Sequence, residues 1–188
     1  MSFPAKGRIH TGSTTLAGTG RVPVAAAVAM VAGGVLLVLT QSAIRPLEAW
    51  VAAAIVGGFH VAPARSLGSA VIFPIRGSFV GFYLSEGCTA ALLVSPFCLV
   101  AAGLVLTHRT TVRRGVGTLV GLTVGLFAVN QARLVIIALS MRLWGFHHGY
   151  EVSHILLGTI VSTLGVLAGL LVFVTAALAP HPVRAARG

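Results

Sequence analysis

The fold class this sequence predicts is an all-α, polytopic membrane protein of about four transmembrane helices plus an external interfacial segment. Three observations predict it. Of 188 residues, 56% are apolar and only 9% charged, where a soluble domain carries roughly 25% charged residues. The mean hydropathy of +0.98 is carried by long uninterrupted apolar runs, the pattern of membrane spans rather than of a large soluble core. The basic residues lie between those runs and form no clustered face. The net charge of +10 therefore excludes a nucleic-acid surface and reads instead as topology.

In chain order, residues 1–21 are polar, rich in Gly, Ser and Thr, and carry Lys6, Arg8 and Arg21; they are expected as a disordered cytoplasmic tail. Residues 22–178 form a single membrane domain. The run 22–40 is long enough to span and longer than the roughly 7–15 apolar residues of a signal-peptide core, which predicts an uncleaved signal anchor. Further spans are expected at 88–107, 116–140 and 152–178. A basic loop with Arg109, Arg113 and Arg114 separates the second and third, and residues 179–188 form a cytoplasmic tail closed off by Pro180 and Pro182.

Charge sorts the orientation. With the amino terminus inside, the cytoplasmic segments hold Lys6, Arg8, Arg21, Arg109, Arg113, Arg114, Arg184 and Arg187, eight of the thirteen basic residues, while Glu48, Glu86 and Glu151, all three acids, fall outside. The positive-inside rule then predicts both termini in the cytoplasm. Segment 41–87 lies outside. Within it, 48–60 begins with a charge and a Trp and is short for a span, which predicts an interfacial helix at the outer leaflet. Residues 69–84 are rich in Val, Ile and Phe around Arg76-Gly77 and read as a short β-hairpin. Glycines at helical spacing, Gly117, Gly121 and Gly125, then Gly165 and Gly169, predict close helix packing.

Ionisable groups inside membrane segments are costly and mark candidate sites. Cys88 opens the second span, Arg133 lies in the outer third of the third, and His154 sits in the first turn of the fourth. The topology puts all three at one depth, with the long Arg133 side chain snorkelling toward the outer interface. A cysteine nucleophile works as its thiolate, which a helix N-terminus and a neighbouring cation favour; Cys88 has the first and Arg133 supplies the second. Arg133 could alternatively hold the oxyanion of a tetrahedral intermediate. A histidine can take the thiol proton and return it to a leaving amine. Asn130, one turn before Arg133, is placed to orient it, and Glu86 or Glu151 to orient the imidazole. Cys98, in mid-span beside Phe97, reads as a packing residue. It lies ten residues from Cys88, roughly 15 Å of helical rise, too far for a disulfide. The bland alternatives are a packed cysteine, a topology-anchoring arginine and a solvated histidine. A metal site built from His147, His148 and His154 with Glu151 is disfavoured, because no His-Glu-x-x-His pattern is present, and no cofactor is expected.

Cys88 within Glu86-Gly87-Cys88-Thr89-Ala90, then Asn130 to Arg133, then His154 resemble the exosortase/archaeosortase family in order, spacing and membrane placement, across roughly 69–171. The resemblance implies a membrane-embedded cysteine transpeptidase or protease. Such an enzyme acts outside the cytoplasmic membrane on a membrane-anchored substrate protein with a C-terminal sorting signal. It implies Cys88 as nucleophile, Arg133 as thiolate or transition-state stabiliser and His154 as acid/base, with histidine in the third role looking more like the bacterial branch. Many members read Cys-Ser-Gly where this chain has Cys88-Thr89-Ala90, and this chain is shorter with fewer spans. The rival class is a non-enzymatic membrane scaffold or transporter subunit in which Arg133 and His154 line a polar path; no internal repeat of the kind transporters use is visible.

Overall fold

The computed structural model describes residues 21–153 and 158–178; His154 and the tails at 1–20 and 179–188 lie outside the described residues. The elements run α1 (Arg21–Leu39), α2 (Gln41–Gly58), β1 (Arg65–Leu67), β2 (Ala70–Ile75), β3 (Ser78–Tyr83), a 3-10 turn (Glu86–Cys88), α3 (Ala90–Leu106), α4 (Val112–Trp144), α5 (Phe146–Glu151) and α6 (Gly158–Leu178). Three helices, α1, α4 and α6, are long and apolar enough to cross a membrane, while α3 is apolar but has 17 residues. The chain is thus predominantly helical, with a small sheet in which β1 joins the hairpin expected at 69–84.

The helices are packed in two layers of contact. In one, α1 lies against α3 so closely that a Cβ on Gly34 would stand 2.9 Å from the Cys98 Cβ and 3.2 Å from the Ser95 carbonyl oxygen. Ala27, Met30, Val94, Phe97, Ala101 and Val105 fill that interface, and Phe97 meets Phe173 of α6 edge-on at 5.8 Å. Gly165 and Gly169 of α6 face Val129 and Leu122 of α4, as the packing expectation has it, whereas Gly117, Gly121 and Gly125 have open space where a Cβ would go.

The second layer is built on the helix expected at 48–60. The helix α2 begins earlier, at Gln41, and its Glu48, Ala49, Ala52, Ala53 and Val56 are buried within the protein. Against them lie the sheet residues Val71, Phe73 and Phe82 and the C-terminal third of α4, through Leu134, Ile137, Ala138 and Met141. Where the alternative is water, each large side chain of such a cluster contributes about 1.5–3 kcal/mol. This explains why α4 runs to Trp144 rather than stopping at residue 140: its last turns have their own core to pack on. At 33 residues it is about 50 Å long.

The sheet is an antiparallel meander in the order β1-β2-β3. The hairpin expected at 69–84 is present, with Ile75 opposite Ser78 across Arg76 and Gly77. Both turn residues have positive φ, 50° and 86°, as the two-residue turns that match strand twist require. Leu84 N–H donates to the Ser69 carbonyl oxygen, which closes the sheet and delivers the chain into the turn that carries Cys88. Both α2 and α3 end with a histidine in the left-handed conformation. His60 and His108 each begin a pair of bonds back to the last turn, His60 N–H to Gly57 and Val61 N–H to Val56, His108 N–H to Val105 and Arg109 N–H to Leu104, a recurrent way to satisfy terminal carbonyls.

Candidate active site

Cys88 is the last residue of the 3-10 turn and lies before, not within, α3. Its side chain is buried, 3% exposed. Two side chains donate to Sγ: Ser85 Oγ at 3.3 Å from within the same turn, and Arg133 Nη2 at 3.7 Å from α4. The structure therefore brings together the first two residues of the expected trio. His154 falls outside the described residues; the chain leaves them at Ser153 and returns at Gly158, both buried.

Arg133 departs from the expectation in one respect. Instead of snorkelling outward it is 8% exposed and reaches sideways to α6, where Nη1 donates to Ser162 Oγ at 3.3 Å. Gly158, one turn before Ser162, makes room for it: a Cβ there would lie 2.8 Å from Arg133 Nε. Nε has no hydrogen-bond partner among the described residues. Arg133 thus bridges two helices while presenting a cation to the sulfur.

The residues next to Cys88 are held by a carboxylate that sequence reasoning did not place in the site. Glu48 of α2 is completely buried. Its Oε1 accepts from Ala90 N–H at 2.9 Å and from Thr89 Oγ1 at 3.1 Å, and its Oε2 accepts from Asn130 Nδ2 at 3.2 Å. Asn130 Nδ2 also donates to the Cys88 carbonyl oxygen at 3.0 Å. Thr89 caps α3, its Oγ1 accepting from Ala91 N–H at 3.3 Å. Two corrections follow. The N–H groups of Ala90 and Ala91, the first two of α3, are taken by Glu48 and Thr89 rather than aimed at the Cys88 sulfur. Asn130 binds the Cys88 backbone and Glu48; it does not orient Arg133, and its Oδ1 has no partner among the described residues. Burial pushes the Glu48 carboxyl above its ordinary value, opposed by the bonds from Ala90 and Thr89.

Glu86 and Glu151, expected to support the imidazole, are both exposed. Tyr150 of α5 is a further neighbour that sequence reasoning missed. Its phenol is pushed above its ordinary value, chiefly by burial, with the nearby Cys88 adding to the effect and Arg133 opposing it. It owes its place to Gly149, whose missing side chain lets α5 lie on the α4 backbone at Ser140 and Met141. Among the described residues no group of three or more His, Cys, Asp or Glu side chains is placed to hold a metal ion; His147 and His148 are exposed. Chemically the arrangement is a buried thiol with a fixed backbone, a hydroxyl donor and a permanently charged donor. Comparison with protein-family models, with curated proteins and with solved structures returns no match.

Proposed function

We propose that this chain is an exosortase-like cysteine transpeptidase or protease that cleaves the C-terminal sorting signal of exported proteins at the outer face of the cytoplasmic membrane. The observation that carries the reading is the contact of Arg133 Nη2 with Cys88 Sγ, 3.7 Å apart in buried surroundings. An arginine is costly to bury, and a thiolate is the partner that repays it. The resemblance of Cys88, Asn130 to Arg133 and His154 to the exosortase/archaeosortase pattern supports the same reading.

In this reading α1, α3, α4 and α6 cross the membrane, both termini are cytoplasmic, and the Cys88 end of the bundle faces outward. The arrangement keeps the basic loop before α4 inside. The substrate's own membrane helix docks beside α3, α4 and α6 and brings its sorting motif to Cys88. The thiolate attacks the scissile carbonyl, forming a C–S bond, while the guanidinium of Arg133 balances charge first on sulfur and then on the developing oxyanion. Collapse breaks the C–N bond, and His154, having taken the thiol proton, returns it to the leaving amine. The acyl-enzyme then passes to an amine acceptor or to water.

The test is labelling of Cys88 in intact cells with a small, membrane-impermeant methanethiosulfonate across pH, in a Cys98→Ala background. Rapid labelling at neutral pH, displaced to higher pH in Arg133→Ala, is the expected result. An inert Cys88, or one with the same pH profile in both proteins, overturns the assignment and favours the scaffold reading, under which a Cys88→Ala variant keeps its function.

A further inference from the structure

We infer that Glu48 is the positioning residue that sets the Cys88 sulfur against Arg133. The inference rests on the reading of Cys88 as nucleophile and extends it to a residue on a fourth helix. Three observations carry it. Glu48 is fully buried, and its carboxyl oxygens are bonded by Ala90, Thr89 and Asn130. A carboxyl so placed is expensive unless hydrogen bonds compensate it, and capping α3 accounts for only part of it, because Thr89 bonds Ala91 N–H from its own side chain and Glu48 adds the Ala90 N–H.

The carboxyl has two arms, and they go to different helices. One oxygen holds Thr89 and Ala90, the two residues after Cys88. The other holds Asn130, which in turn holds the Cys88 carbonyl. Asn130 and Arg133 are three residues apart on α4 and so share a face. The carboxyl therefore fixes the register of the Cys88 backbone against the one helix face that carries Arg133. An apolar side chain at position 48 would fill the same space and leave that register unset. A glutamine keeps the acceptor for Ala90 and Thr89 but turns a donor toward the Asn130 amide, which already uses its hydrogens on Glu48 and Cys88.

The experiment measures the pH profile of Cys88 modification by a methanethiosulfonate, which forms a mixed disulfide with the thiolate and releases methanesulfinate, in purified full-length protein with Cys98→Ala. Glu48→Gln is expected to slow labelling at neutral pH about tenfold, the loss of one hydrogen bond to a charged group, and to displace the profile in the direction Arg133→Ala does. Combined with Arg133→Ala it should add little, because both act on one contact. Asn130→Ala, which cuts one arm and leaves the bonds to Thr89 and Ala90, provides the same reading if Glu48→Gln fails to fold. A Glu48 that merely fastens α2 to α3 lowers the unfolding temperature but leaves the pH profile of the folded protein at its wild-type position, and that result overturns the inference. Should Arg133→Ala itself leave the profile unmoved, the nucleophile reading fails instead, so the two failures are separable.

Discussion

Cys88 and Cys98 stand on either side of the start of α3, and they are equally hidden, at 3% and 4% exposure. Around Cys98 lie Gly34 and the apolar residues of α1, α3 and α6. Around Cys88 lie Ser85, Arg133, Asn130, Thr89, Glu48 and Tyr150. Burial is the same in the two places; the supply of donors is not. What separates the two cysteines is that three helices each send a polar side chain toward Cys88, while Cys98 is enclosed by methyl groups and rings.

Breaking the comparison at the sulfurs gives the largest effect. Under the proposed chemistry Cys88→Ala lowers cleavage of a sorting-signal substrate by more than about a thousandfold, as loss of a nucleophile does elsewhere, while Cys98→Ala leaves the rate within about twofold. A cleavage assay in membranes reads both, and equal loss in the two variants would erase the distinction.

Two glycines sharpen it at the next level. Gly158→Ala drives a methyl against Arg133 Nε, so substrate turnover should fall by about tenfold or more while the unfolding temperature stays near wild type. Gly34→Ala drives a methyl against Cys98 and the Ser95 carbonyl and should cost about 1–3 kcal/mol of stability with turnover per folded molecule unchanged. Turnover measured alongside thermal unfolding in detergent separates the pair. A reversed pattern would mean the two ends of the bundle have been assigned the wrong roles.

The smallest effect is on pH. Because burial raises the Glu48 carboxyl above its ordinary value of 4.5, the folded state keeps that proton to higher pH than the unfolded chain does. Its contribution to stability is therefore complete below about 4.5 and declines as pH rises through the raised folded value. Unfolding midpoints measured from acid to neutral pH should show that decline in wild type and a flatter curve in Glu48→Gln.

Much of this organisation was legible in the residues. Apolar runs located the helices α1, α3, α4 and α6, because an uninterrupted apolar run of about that length reads as a helix. The Arg76-Gly77 pair located a hairpin because few dipeptides tolerate two positive φ angles. Cys88 and Arg133 were legible because each is chemically out of place in an apolar segment. Glu48 was not, since an acid followed by Trp50 reads as the polar start of a surface helix, and only the fold shows its carboxyl turned inward onto Thr89 and Asn130. The packing of the C-terminal third of α4 was not legible for a related reason. Hydropathy reports where a helix can leave lipid, and cannot report that Ile137 and Met141 meet a sheet beyond it. Tyr150 depends on Gly149 packing onto α4, a contact between separate helices that no local pattern encodes.

The length of α4 has a consequence for how the site responds to its surroundings. A helix of 33 residues exceeds a hydrocarbon layer of about 30 Å, and a rod that is too long adjusts to thinner or thicker lipid by tilting. Asn130 and Arg133 ride on that rod, and Cys88 and Glu48 are strapped to it by side-chain bonds. Under the proposed membrane placement, donors and sulfur tilt as one piece, so the spacing between Arg133 and Cys88 is insulated from lipid thickness, while the height and angle at which the sulfur would meet a substrate chain are set by it.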